Sequence, residues 1–158
     1  MEIYRLSSAI KELGSRSSAV LSAYRDWSRR MPPGPASRLT ASMAEQRLEL
    51  SKALGEISME IGAILAASPD IEIEFESGIS PAALIDGKSG SGESPADPKD
   101  LLKAMAEIES GEHELLAALA GALLPLSSVL AERLAGEAAS ARKRSNWARD
   151  HLDLLGMG

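Results

Sequence analysis

A glutamate within an apolar helical stripe is the first group in this chain that could do chemistry. Glu112 interrupts residues spaced three and four apart, which lie on one face of an α-helix: Leu101, Met105, Ile108, Leu116, Leu119 and Leu123. Burying a carboxylate is costly unless a metal ion, an arginine or a shared proton compensates its charge. The position therefore predicts either a metal site or a buried ion pair.

Polar residues interrupt the stripes of three other predicted helices at matching heights. In an antiparallel hairpin, two residues equally distant from the turn lie at the same level. Ser17 and Arg47 are equally distant from residue 32, and Glu112 and Glu137 are equally distant from the junction of residues 124 and 125. We therefore expect Ser17, Arg47, Glu112 and Glu137 to form one buried polar layer.

Two further residues are weaker candidates for metal binding. Glu109 and His113 have the i, i+4 spacing with which a carboxylate and an imidazole can hold a metal at a helix edge. His113 lies about 100° from the centre of its apolar stripe, since each helical residue turns by about that angle. This favours a boundary or surface position for the imidazole.

Composition restricts the class of protein. The chain has 158 residues, of which 44% are hydrophobic and 25% charged, so a single domain with a real core is expected. The absence of cysteine excludes disulfides and thiolate metal sites, and it favours a cytoplasmic location. No apolar run reaches membrane-spanning length. A net charge of −6 disfavours nucleic-acid binding, and Arg142, Lys143 and Arg144 are interpreted as a solvated helix face.

Helical periodicity and breakers predict an all-α, antiparallel four-helix bundle made of two helical hairpins joined by a long crossover. The helices are expected at about residues 3–28, 36–67 and 98–124, with a fourth ending near 155. The single domain, 1–158, then comprises a first hairpin at 1–67, a crossover linker at 68–97 and a second hairpin at 98–156. Within the crossover, 71–75 alternates like a strand and 87–95 is a flexible, Gly/Ser-rich stretch.

The two hairpins also have the pattern of an internal repeat. An offset of 95 residues superposes apolar positions of the first and third helices, including Leu6 on Leu101 and Leu13 on Ile108. This favours duplication of one helical hairpin.

The predicted layer resembles the metal layer of the ferritin-like superfamily, and especially its rubrerythrin-type members. The resemblance implies that helices one and three each supply a Glu, that helices two and four each supply Glu-x-x-His, and that these six residues hold two iron ions. Tyr24, seven residues after Ser17, and the pair Gly111-Glu112 are similar to that pattern.

Most of the implied ligands are replaced in this chain. The first Glu is Ser17, the first Glu-x-x-His reads Arg47-x-x-Leu50, and the second reads Glu137-x-x-Ser140. Only Glu112 and Glu137 remain of six. We therefore expect that the di-iron centre is lost and that Arg47 pairs with Glu112 and Glu137 in a buried polar network.

Three functional hypotheses follow. The first is a non-catalytic ferritin-like bundle without a cofactor, which acts by self-association, as a homodimer, or by binding a protein partner through an apolar face such as 117–124. The second is an iron- or manganese-binding oxidoreductase or iron-handling protein that uses Glu112, Glu137 and either Glu109 or His113. The third is a small-ligand pocket in the bundle core, opened by the small side chains of Ser17 and Ser140.

Overall fold

The protein is an all-α four-helix bundle, as predicted. The computed structural model describes residues 2–68, 73–77 and 97–157. Its helices are α1 (Leu6–Arg30), α2 (Pro35–Ala67), α3 (Pro98–Leu123) and α4 (Ser128–Met157), accompanied by two short strands, β1 (Glu2–Arg5) and β2 (Glu74–Ser77). The linker predicted at 87–95 and most of the 68–97 crossover lie outside the described residues.

Proline and capping side chains define the helix ends. The N–H of Met31 donates to the carbonyl of Trp27 at the end of α1, and α2 begins on Pro35. At the start of α3, the Asp97 carboxylate accepts from the N–H of Lys99 at 3.0 Å. Ser127 has the same role at α4, where its hydroxyl accepts from the N–H of Leu130 at 3.3 Å.

The first turn of the predicted first helix is a strand instead. β1 pairs antiparallel with β2, with Arg5 opposite Glu74, and the N–H of Leu6 donates to the carbonyl of Ile73 at 3.1 Å. Helix α1 therefore begins at Leu6 rather than Ile3. The backbone groups of residues 2–5 obtain their hydrogen bonds from a segment about 70 residues away, which local periodicity does not reveal.

The core shows how the two hairpins pack together. The start of α1 shares one apolar cluster with the end of α3, and the end of α1 shares a second cluster with the start of α3. Helix α3 therefore runs antiparallel to α1, and α4 runs antiparallel to α2. In this arrangement the crossover connects opposite ends of the bundle.

A polar layer divides the core into these two apolar halves. The half nearer the β-ribbon is formed mainly by Leu6, Ile10, Leu13, Leu50, Leu54, Ile57, Ile61, Leu115, Leu116, Leu119, Leu123, Leu130 and Leu134. The other half is formed mainly by Val20, Leu21, Tyr24, Trp27, Met43, Leu101, Leu102, Met105, Ile108 and Ala148. Within the described residues, no helix has a stretch long and apolar enough to cross a membrane.

Candidate functional site: a buried layer of arginines and glutamates

Each helix contributes to the polar layer at the point where its apolar stripe breaks. The layer consists of six side chains that are at most 1% exposed: Arg16 and Ser17 from α1, Arg47 from α2, Glu109 and Glu112 from α3, and Arg144 from α4. Charged residues are almost never fully buried unless they are paired. The layer is therefore the most unusual feature of the described core.

Arg47 and Glu112 form a forked ion pair at its centre. The Arg47 Nη2 lies 3.0 Å from Glu112 Oε1, and the Nη1 donates to Glu112 Oε2. Nη2 also lies 3.4 Å from the hydroxyl of Ser17, which is in turn 2.9 Å from the hydroxyl of Ser51. The two parallel bonds use the planar fork that distinguishes arginine from lysine.

Glu109 connects the remaining helices. One of its oxygens accepts from the Tyr24 hydroxyl at 3.1 Å and from Arg47 Nη1 at 3.2 Å. The other accepts from Arg144 Nε at 2.9 Å. Glu109 thus links α1, α2 and α4 to α3, and the Arg47 guanidinium carbon lies 5.9 Å from the centre of the Tyr24 ring.

The protonation states follow from burial and from these partners. Burial alone disfavours both charged groups of the central pair. Arg47 nevertheless lowers the pKa of Glu112 below its ordinary value of 4.5, and Glu112 and Glu109 raise the pKa of Arg47. Burial and the nearby Glu109 carboxylate raise the pKa of Tyr24 well above 10.0. The central pair is therefore ionised and Tyr24 is neutral at pH 7.

The raised pKa of Tyr24 gives a testable alkaline effect. A group whose pKa is raised on folding contributes stability below its unfolded pKa, and this stability is lost as pH rises through the folded value. Wild-type stability is expected to fall above about pH 10, whereas Tyr24→Phe removes this contribution to the fall. At pH 7, Tyr24→Phe should cost about 1–3 kcal/mol, because a buried bond to a carboxylate is lost. Urea unfolding between pH 7 and 11 measures both effects, and an identical alkaline slope in the two proteins would contradict the assignment.

Glu137, expected in the layer, lies outside it. The side chain is half-buried, and burial raises the pKa of its carboxyl. Its place at the edge of the α4 stripe explains this position, since Leu134, Ala138 and Ala141 occupy the inward face. Arg144, two turns further along on the same side of α4, has a side chain long enough to reach Glu109.

Two other interpretations from the sequence need correction. Arg144 does not share the solvated face predicted for it with Arg142 and Lys143: it is 1% exposed, whereas the other two are exposed. Glu109 and His113 do not form a metal-binding pair at the helix edge. His113 is at the boundary, as expected, and its Nδ1 donates to the Ala138 carbonyl at 2.7 Å, while Glu109 faces the core.

The residues of the layer do not fit the two iron ions that the ferritin-like resemblance implies. Ser17 and Arg47 stand where carboxylate ligands would be needed, and both oxygens of Glu112 accept hydrogen bonds from Arg47. Arg16 and Arg144 bring two more cations to the same layer. Among the residues that the structure describes, no group of three or more His, Asp or Glu side chains could hold a metal ion.

Sequence reasoning brought Ser17, Arg47 and Glu112 to one layer but missed Arg16, Glu109 and Arg144. A signal exists in the sequence for five of the six layer residues, all except Arg47. The apolar stripes of α1, α3 and α4 each leave a gap of six residues, between Leu13 and Val20, Ile108 and Leu115, and Ala141 and Ala148. Four of the charged residues within these gaps turn inward: Arg16, Glu109, Glu112 and Arg144. The gaps alone do not select them, because Glu114, Arg142 and Lys143 lie in the same gaps and are exposed.

Comparison of the chain with protein-family models, with curated proteins and with solved structures finds no match.

Proposed function

We propose that this chain is a non-catalytic bundle of ferritin-like architecture whose metal layer has been replaced by an arginine–glutamate layer, and that it acts by self-association. The observation that carries the proposal is the forked pair of Arg47 and Glu112. Glu112 is the one residue shared by the buried layer and the six metal ligands that the ferritin-like resemblance implies. The pair places a permanent cation against its carboxylate.

The directions of the helices support the ferritin-like part of the proposal. Two antiparallel hairpins lie side by side, with α3 antiparallel to α1, and the end of α2 and the start of α3 lie at opposite ends of the bundle. This is the arrangement of four-helix bundles with one long crossover.

The layer itself is suited to fixing how the helices pair. A buried ion pair adds little net stability compared with apolar residues, but a mispaired register leaves its charges uncompensated. Glu109 and Glu112 together accept hydrogen bonds from side chains of the three other helices. Any axial slip of α3 would break several of these bonds at once.

Association is supported by large apolar side chains exposed on adjacent helices. Met59 on α2 is 78% exposed and Val129 on α4 is 67% exposed. A bond of 2.7 Å between Arg133 and Glu56 connects the two helices. Met59 follows Glu56 by three residues and Val129 precedes Arg133 by four, so on antiparallel helices both lie on the same side of this bond. They form a pair of apolar contacts suited to a second copy of the chain.

The association is tested by adding charge to these two positions. Met59→Asp combined with Val129→Asp is expected to convert a dimer to a monomer in sedimentation velocity at micromolar concentration, with the helical circular dichroism unchanged. The matched control adds the same charges at exposed positions on the same helices, Ser42→Asp with Ala139→Asp, and should leave the dimer intact. A wild-type chain that is monomeric up to about 100 µM, in the affinity range of weak complexes, would refute self-association.

A further inference from the structure

Arg16 is buried without a hydrogen-bonding partner in the part of the chain that the structure describes. Its side chain is 1% exposed, and its Nε, Nη1 and Nη2 atoms lack an acceptor among the described residues. Leaving a buried donor without an acceptor is unfavourable, and more so when the group is charged. The arginine therefore requires an acceptor that the described side chains do not supply.

The charges of the layer also leave one cation uncompensated. Three guanidinium groups, those of Arg16, Arg47 and Arg144, face two carboxylates, those of Glu109 and Glu112. Glu112 accepts bonds from Arg47, and Glu109 accepts bonds from Arg47 and Arg144. Both carboxylates act on Arg16 only through their charge. Among the fully buried groups of the layer, positive charges therefore exceed negative charges by one, while the half-buried Glu137 acts on Arg144 from outside the layer.

The other unpartnered nitrogens belong to the same layer. Among the described residues, the buried side-chain nitrogen and oxygen atoms without a partner are the three of Arg16, Nε of Arg47 and Nη2 of Arg144. All five are donors on cations. These nitrogens therefore require hydrogen-bond acceptors, and the excess positive charge requires an anion.

We propose that Arg16 binds a small monovalent anion within the polar layer. The class is chloride, bromide, nitrate or formate: each accepts from several guanidinium donors and neutralises one positive charge. A doubly charged anion would leave the layer with one net negative charge. A bulky anion would not fit between close-packed helices. Water could accept the bonds but would leave the charge uncompensated. This site goes beyond the proposed function, since neither self-association nor the loss of metal requires it.

The experiment is an anion titration of thermal stability at constant ionic strength. Chloride replaces gluconate, a much larger monovalent anion, in the full-length protein. The wild-type Tm is expected to rise with the logarithm of the chloride concentration above the Kd, by about 5–10 °C at a hundredfold excess. Arg16→Met should abolish this rise, and the control Arg25→Met, an exposed arginine of the same helix, should retain it. A wild-type Tm that does not respond to chloride, or an equal response in Arg16→Met, would overturn the proposal.

A second measurement does not depend on the folding of a variant. Wild-type crystals grown in sodium bromide are expected to show an anomalous peak within about 3.5 Å of the Arg16 guanidinium nitrogens. A water molecule or an acidic side chain of the chain at that position would refute the anion site.

Discussion

Glu112→Leu is expected to lower the free energy of unfolding by about 3–5 kcal/mol, although leucine completes the apolar stripe of α3. The substitution leaves Arg47 buried without its forked partner and removes a charge that also acts on Arg16 and Arg144. One carboxylate would then face three guanidinium groups. The loss is measured by urea unfolding at pH 7.

The matched control is Glu114→Leu, at an exposed position on the same helix. Its effect should stay within about 0.5 kcal/mol, as is usual for surface substitutions. If Glu112→Leu costs no more than this control, Arg47 and Glu112 are not a buried pair.

Removing both partners of the pair is expected to restore much of the stability lost in Glu112→Leu. The double variant Arg47→Met with Glu112→Leu removes the Arg47 guanidinium together with its carboxylate partner. Glu109 keeps its bond to Arg144. Methionine and leucine can fill the space with apolar contacts. The double variant should be at least about 2 kcal/mol more stable than the sum of the two single effects implies.

This cycle needs urea unfolding of wild type, both single variants and the double variant under one set of conditions. Additive effects, within about 0.5 kcal/mol, would mean that the two side chains do not interact and would contradict the geometry of the forked bond.

The helices could be predicted from the sequence because they depend on local periodicity, whereas the β-ribbon does not. Three- and four-residue spacing, together with Pro32, Pro35 and Pro98, was sufficient to place the helix ends within a few residues. Of the two strands, the sequence indicated one at 71–75, but residues 3–5 were expected to be helical. The pairing of residues 2–5 depends on a distant segment, so local periodicity does not reveal it.

Within the site, periodicity identified residues at the centre of a stripe but not those at its edge. Ser17 and Glu112 lie at stripe centres, so their burial followed from spacing alone. Glu137 and Arg144 both lie at the edge of the α4 stripe, where an inward and an outward side chain have the same spacing. Arg144 turns inward because it pairs with the buried Glu109 of α3. Pairing between helices is visible only in the folded chain.

Crystals of the full chain grown with excess Mn²⁺ test most directly our proposal that Arg47 stands where a metal centre would lie. We expect the Arg47 guanidinium within hydrogen-bonding distance of Glu109 and Glu112, and no anomalous manganese peak in the polar layer. A manganese peak within about 2.5 Å of Glu112 carboxylate oxygens, with Arg47 turned towards solvent, would contradict it.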